Sequence, residues 1–437
     1  MAAPLALYGA TKRPNLLLIM TDQQTHDALS CAGNKWVKTP AMDSLAANGV
    51  RFAQTICAYP VCSPSRGSIF TSRMPHETGV RLNAKAIADG IPTMGEIFRD
   101  AGYKTVYGGK WHLPKSFDGM TAFEKLIGGS GQGKDMDAPL AAACAKWLRN
   151  APAEPFLMVA SFMNPHDICE WIREHEGTHE YPDTASHPPI PANLAVDPDE
   201  PACIQYHRTA KYDLMSQAVA IASQWREADV RKYLHDYYRM VEDVDKQISI
   251  LLDALREKKL DQNTIVIFVS DHGEGMCAHR WAQKASFYEE SVRVPMIISG
   301  PGIKPRVDNQ TLASLTDILP TFCDYAGIPA PKPIRGASLR KAIEGQPINR
   351  KFQVSELRYA DETREGRMLR SAKYKYVVFN SGARPEQLFD LSKDPGETLN
   401  LARDKSAVAV LKQHRAMLAS WIAETKDDFQ SAIKEQS

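Results

Sequence analysis

Short apolar runs, each ending in a polar or glycine-rich turn, recur along the first two thirds of the chain. Residues 15–20 (NLLLIM) lead into Thr21-Asp22-Gln23, and 104–107 into Gly108-Gly109-Lys110. Residues 156–162 (FLMVASF) lead into Asn164-Pro165-His166, 264–269 (TIVIFV) into Ser270-Asp271-His272-Gly273, and 295–299 into Gly300-Pro301-Gly302. The runs are continuous, not alternating, which predicts strands covered on both faces. Between them, 40–49 and 92–102 each predict one helix stopped by glycine, and 230–259 carries apolar residues at helical spacing. Alternation of this kind predicts an α/β fold: a large doubly wound, mostly parallel sheet with helices on both faces. In such folds the site lies beyond the carboxyl ends of the strands. Asp22, Lys110, His166 and Asp271 all follow predicted strand ends, so one site is expected to gather them. The proline- and aspartate-rich stretch 181–201 predicts a surface excursion.

The pattern changes after about residue 345. Short strands are expected at 367–369, 374–379 and 388–391, then a polar helical tail over 406–435. This divides the chain into a catalytic domain, 1–345, and a smaller C-terminal α+β domain, 346–437, with a short antiparallel sheet. No internal repeat is present.

Composition adds mainly exclusions. The chain has 437 residues, 43% hydrophobic and 24% charged, an ordinary globular balance. With 53 basic and 52 acidic residues the net charge is +1, which calls for neither nucleic acid nor an anionic membrane surface. Affinity for an anion must therefore come from a local cluster of cations. No apolar run approaches the roughly 20 residues that span a bilayer. Residues 1–10 lack a basic leader segment, so the expectation is a cytoplasmic protein, or a periplasmic or secreted one whose leader was removed. The eight cysteines show no zinc spacing and are expected to be mostly plain buried thiols.

Against this background one segment stands out, Val61-Cys62-Ser63-Pro64-Ser65-Arg66-Gly67. Its Cys-x-Pro-Ser-Arg core resembles the motif of type I sulfatases, in the alkaline phosphatase superfamily. Gly109-Lys110-Trp111-His112, Asn164-Pro165-His166 and Ser270-Asp271-His272-Gly273 resemble further elements of that family, in its order. So do Lys284, the segment 288–295, and the C-terminal Tyr374-Lys375-Tyr376 and Leu388-Phe389-Asp390-Leu391. The resemblance implies that a formylglycine-generating enzyme oxidises Cys62 to formylglycine (3-oxoalanine). It also implies a Ca²⁺ site, with Mg²⁺ as the alternative.

The residue chemistry fits that implication. Cleaving a sulfate ester needs a nucleophile at sulfur, cations on the sulfate oxygens and a proton for the leaving alcohol. A hydrated aldehyde offers one hydroxyl for attack and a second to expel sulfate, which a thiol does not. Asp22, Gln23, Asp271 and His272, with residue 62 itself, are the candidate metal ligands, and their oxygen-rich set favours a hard cation. Many family members carry aspartate where this chain has Gln23, which removes one negative charge. Arg66, Lys110 and Lys284 are the candidate cations. By resemblance, His112 is the base that releases sulfate, and His166 contacts the sulfate and helps protonate the leaving oxygen. Trp111, Trp171, Arg173, His279 and Arg280 are candidates for the substrate side, with Trp171 suited to stacking on a sugar. His175 and His179 belong to the same loop.

These readings predict a sulfuric ester hydrolase acting on a sulfated small molecule or, preferentially, a sulfated carbohydrate. Alternatives within the superfamily are phosphonate or phosphate monoester hydrolases, choline or aryl sulfatases and N-sulfatases. A non-catalytic binding protein would be expected to have lost Cys62 or the metal ligands, and this chain retains them.

Overall fold

The computed structural model describes residues 13–113, 122–129, 131–174, 181 and 186–433. His175 and His179 lie outside them, as do residues 1–12 and the last residues of the expected tail. The strands in chain order are β1 (Asn15–Asp22), β2 (Gly49–Phe52), β3 (Thr55–Ile56), β4 (Lys104–Gly109), β5 (Glu124–Lys125), β6 (Phe156–Pro165) and β7 (Thr264–Ser270). They continue as β8 (Met296–Ser299), β9 (Arg306–Asp308), β10 (Ala313–Ser314), β11 (Phe352–Arg358), β12 (Glu365–Ser371), β13 (Tyr374–Phe379) and β14 (Glu386–Asp390).

Eight of these form one sheet in the order β5-β4-β6-β1-β7-β8-β2-β9. The run from β5 to β7 is parallel, while β8 is antiparallel to both its neighbours. All eight residues of β1 are buried. Their period of two divides them between two cores, as a strand covered on both faces requires. Leu16, Leu18 and Met20 join Phe70, Phe98 and Phe322 on one face. Leu17 and Ile19 join Leu140, Leu148, Val244 and Leu251 on the other, beneath the helices Gly133–Arg149 and Glu227–Glu257. Each such side chain contributes roughly 1.5–3 kcal/mol by leaving water. The expected helices at 92–102 and 230–259 are Met94–Asp100, capped where the Glu96 carboxylate accepts from the Thr93 N–H at 2.7 Å, and Glu227–Glu257.

Strands β11 to β14 form a four-stranded antiparallel sheet. Its alternation ties the C-terminal region to the rest. Leu357, Met368, Val377 and Phe379 enter the main core. Leu369, Tyr376, Val378 and Leu388 pack instead with Leu411 and Leu418 of the helix Val408–Thr425. Strand β11 was not anticipated from the sequence.

Candidate active site

The neighbouring strands β4, β6, β1 and β7 all run the same way, so their carboxyl ends lie along one edge. Asp22 ends β1, and Lys110, His166 and Asp271 directly follow β4, β6 and β7. Gly109 makes the β4 turn close enough. It has φ 95°, and a Cβ there would lie 1.9 Å from the Ser161 carbonyl oxygen. Lys110 N–H donates to that same oxygen at 2.9 Å.

Cys62 is the first residue of the helix Cys62–Thr71, every residue of which is buried. A helix N-terminus carries unpaired N–H groups and a partial positive charge, so it favours an anion. Val61, Pro64 and Gly67 do not make this a strongly apolar segment, and the helix is held by its contacts and not by periodicity. Ser63 N–H donates to Asn83 Oδ1 at 3.0 Å, and Ser63 Oγ donates to the His112 carbonyl.

Arg66 lies one turn along. Its Nε donates to Asp271 Oδ2 at 2.8 Å and its Nη2 to Asp22 Oδ2 at 2.9 Å. Its Nη1 donates to the Lys110 carbonyl at 2.7 Å and to Ser161 Oγ at 2.8 Å. Arg66, expected as a cation for sulfate and for orienting the nucleophile, is fully buried, and its donors tie β1, β4, β6 and β7 together. It positions the site from below.

The Cys62 sulfur stands 3.1 Å from His272 Nε2, 3.3 Å from Lys284 Nζ, 3.7 Å from Asp22 Oδ1 and 3.8 Å from Lys110 Nζ. His112 and His166 also hydrogen-bond to it. Burial opposes the thiolate, but Lys110, Lys284 and His272 outweigh burial and hold this thiol well below its ordinary range. Cys144, buried with no such cations, is pushed up to about 12. Cys62 thus sits in an electropositive setting that a plain buried thiol such as Cys144 lacks. His166 is pushed down to about 3, by burial first and then by Lys110 and Lys284, so it is neutral near pH 7.

Ligand atoms of Asp22, Cys62, Asp271 and His272 all lie within 4.8 Å of one another. Burial opposes ionisation of Asp22, yet Lys110, His166 and Arg66 hold its carboxyl below the usual range; burial and Asp22 push Asp271 upward. Two buried carboxylates and an imidazole fit a divalent cation. The side chain of Gln23, also expected as a ligand, is held by three hydrogen bonds. Its Oε1 accepts from Lys284 Nζ at 2.8 Å and Cys169 Sγ at 3.3 Å, and its Nε2 donates to Glu274 Oε2 at 2.6 Å. With a neutral amide here, the oxygen serves Lys284. Glu274 was missed in the sequence, although it lies three residues past Asp271. It is fully buried and also accepts from the Tyr233 hydroxyl at 2.7 Å.

His166 and Lys284, which contact the Cys62 sulfur, also line a cavity of about 370 Å³, whose walls include Arg173, Asn83, Asp213 and Gln283. The five substrate-side candidates divide. Arg173 lines this cavity. Trp111 turns inward, its ring 5.3 Å from those of Phe70 and Tyr107. Trp171 is only 5% exposed, packed edge-on against Trp225 and Tyr233, and its indole donates to Asp236 at 2.7 Å. It cannot present a face to a sugar, because a tryptophan on an apolar helix face is drawn into the core. His279 is buried and stacked 3.9 Å from Tyr288, and Arg280 donates to the carbonyls of Ser223 and Trp225. Asn83, Asp213 and Gln283 were missed, since no spacing marks them.

Residues 14–328 match the family model described as Sulfatase, and residues 277–424 match the one described as N-sulphoglucosamine sulphohydrolase, C-terminal. A Delta 4,5-hexuronate-2-O-sulfatase of Bacteroides thetaiotaomicron is 35% identical over 98% of this chain and 93% of that protein. An ulvan-active sulfatase of Formosa agariphila is 30% identical over 96% of this chain and 83% of its own length. A solved 2-O GAG sulfatase is 31% identical, covers 97% of this chain and 95% of that chain, and superposes with a TM-score of 0.88. With its nucleophile motif, strand-end carboxylates and full-length relatives in agreement, the chain belongs to the sulfatase family and is a sulfuric ester hydrolase.

Proposed function

We propose that the enzyme removes sulfate from a glycosaminoglycan-type sugar, a 2-O-sulfated uronate, using Cys62 as its formylglycine form. The observation that carries this reading is the placement of Cys62. It sits at a helix N-terminus, with two lysines and three histidines within reach of one sulfur, two of which, Lys284 and His166, line the neighbouring cavity. The activities printed for the hexuronate-2-O-sulfatase and 2-O GAG sulfatase relatives support the substrate class.

Oxidation of Cys62 would supply a hydrated aldehyde, one hydroxyl of which attacks sulfur while the other later expels sulfate. Asp22, Asp271 and His272 would hold a divalent cation, Ca²⁺ or Mg²⁺, which would neutralise charge on the nucleophile and sulfate oxygens. Lys110 and Lys284 lie on either side of residue 62. Each is held by an acceptor, Asp22 for Lys110 at 2.7 Å and Gln23 for Lys284 at 2.8 Å, so neither must reorganise when the sulfate arrives. His166 is neutral and donates a hydrogen bond toward the leaving oxygen. His112 takes the proton whose removal releases sulfate. It is exposed, and its backbone is fixed by the Ser63 hydroxyl at φ 52°.

The test is ion-chromatographic sulfate release from a panel of 2-O-, 4-O-, 6-O- and N-sulfated mono- and disaccharides. Intact-mass measurement of the Cys62 peptide is made on the same preparation. Release from the 2-O-sulfated uronate, proportional to the oxidised fraction of Cys62, is expected. Full activity in a preparation whose Cys62 is entirely thiol would overturn the nucleophile. Preferential release from another position would overturn the substrate.

A further inference from the structure

A second cavity, of about 230 Å³, shares Asn83, Asp213 and Met215 with the one lined by His166 and Lys284. Asn83 is also the residue that holds the Ser63 amide, so the two cavities meet beside the nucleophile. The rest of the second wall includes Tyr59, His207, Arg358 and Tyr359. Three features of that wall have no use in the chemistry at Cys62.

The first is His207. It is 1% exposed, and burial pushes it down to about 3, so it is neutral. Its Nδ1 pairs with the Tyr212 hydroxyl, but its Nε2 is buried with no partner among the described residues. A buried polar atom left in this state calls for a ligand or water, and a sugar hydroxyl can both donate and accept. The second is the ring stack. His207 lies 4.3 Å from Tyr359 at 25° and 5.2 Å from Trp281 at 18°. With these rings no more than 2% exposed, the stack offers no open face to a sugar but holds the His207 ring rigid at the cavity wall. The third is Arg358. Its Nε donates to the Glu362 carbonyl at 3.2 Å, and no carboxylate pairs with it among the described residues. Arg208 nearby is paired with Glu200 at 2.6 Å, and Arg66 and Lys110 with Asp22. Asp213 faces both chambers, but one of its oxygens caps a helix by accepting from Ser216 N–H at 2.8 Å.

We infer that this second chamber receives the sugar ring joined to the sulfated one, and that Arg358 there binds an anionic substituent of that ring. The inference rests on the glycan reading above. It makes the natural substrate an oligosaccharide, with at least a disaccharide occupying the site.

Wild-type enzyme with oxidised Cys62 is compared on three substrates: a 2-O-sulfated uronate monosaccharide, its disaccharide with a neutral N-acetylhexosamine, and its disaccharide with a sulfated hexosamine. Expected kcat/KM rises in that order, by about tenfold or more from the first to the last. Arg358→Gln should bring the sulfated disaccharide down to the level of the neutral one, and Arg358→Lys should restore part of the difference. Competition supplies a measurement free of any folding defect: the desulfated anionic disaccharide should inhibit wild type at least about tenfold more strongly than the free uronate. Equal kcat/KM on monosaccharide and disaccharides, or an unchanged ratio in Arg358→Gln, would sink the second chamber and leave the glycan reading standing. Sulfate release from none of the three would instead defeat the glycan reading itself.

Discussion

At the scale of single residues, Arg66 shows how the site survives its own charge. Asp22 and Asp271 are fully buried within reach of one another, and each depends on the guanidinium between them. Removing one partner of such a network leaves carboxylates without a countercharge, which typically costs about 3–5 kcal/mol. Arg66→Ala is therefore expected to lower the urea midpoint sharply, beyond what loss of activity alone would accompany. Arg66→Lys keeps the charge but loses the planar fork, so it should recover only a minor part. An unchanged midpoint in Arg66→Ala would show that the strand ends hold without it. Cys62→Ala should behave oppositely, retaining its unfolding free energy in urea within about 1 kcal/mol while releasing no sulfate.

At the scale of elements, the turn after β4 and the junction with the C-terminal sheet each carry a prediction. Gly109→Ala puts a Cβ into the Ser161 carbonyl at a left-handed φ, a strain of roughly 1–3 kcal/mol. Because Lys110 follows directly, the shift should lower kcat about 10²-fold while the far-ultraviolet dichroism stays the same. His76 joins the small helix Pro75–Thr78 to the C-terminal sheet. Its Nδ1 lies 2.6 Å from Glu356 Oε1 and its Nε2 3.3 Å from the Thr425 carbonyl, two acceptors that together call for a doubly protonated ring. Burial opposes that charge, but the hydrogen bond and charge of Glu356, with Asp427 and the Thr425 carbonyl, together outweigh it, so the pKa is raised above 6.5. A raised folded-state pKa gives stability that is complete below the unfolded value and fades as pH climbs through the folded one. The melting-temperature gap between wild type and His76→Gln should thus be larger at about pH 6 than at about pH 8. The sequence made the strand ends legible because apolar runs stop abruptly at polar turns, which is how Asp22, Lys110, His166 and Asp271 were found. It concealed elements defined by distant partners. The helix Gly133–Arg149 contains Pro139, which argues against a helix in any local reading. The His76 contacts join residues 280 and 349 positions apart, and Arg358 and His207 meet across the chain with no shared spacing.

At the scale of the whole molecule, the burial of Cys62 sets an order of events. The residue has no exposed surface, and the helix that it begins is enclosed by β1, β7 and the segments that carry Lys110 and Lys284. A modifying enzyme must bring its own catalytic groups to within bonding distance of the cysteine. Here that would require pulling the helix Cys62–Thr71 out of the main core, in which Ile69 and Phe70 are anchored. Withdrawal of a segment this central approaches the cost of global unfolding, typically about 5–15 kcal/mol, so the folded chain offers the motif only rarely. Oxidation is therefore expected on the unfolded or nascent chain. Folded thiol-form protein incubated with a formylglycine-generating enzyme should show no mass change at the Cys62 peptide, whereas a synthetic peptide spanning residues 55–75 should be converted under the same conditions. Folded protein converting at a rate comparable to the peptide would mean that the motif is reachable after folding, through an opening of the first helical turn that the buried contacts of Arg66 argue against.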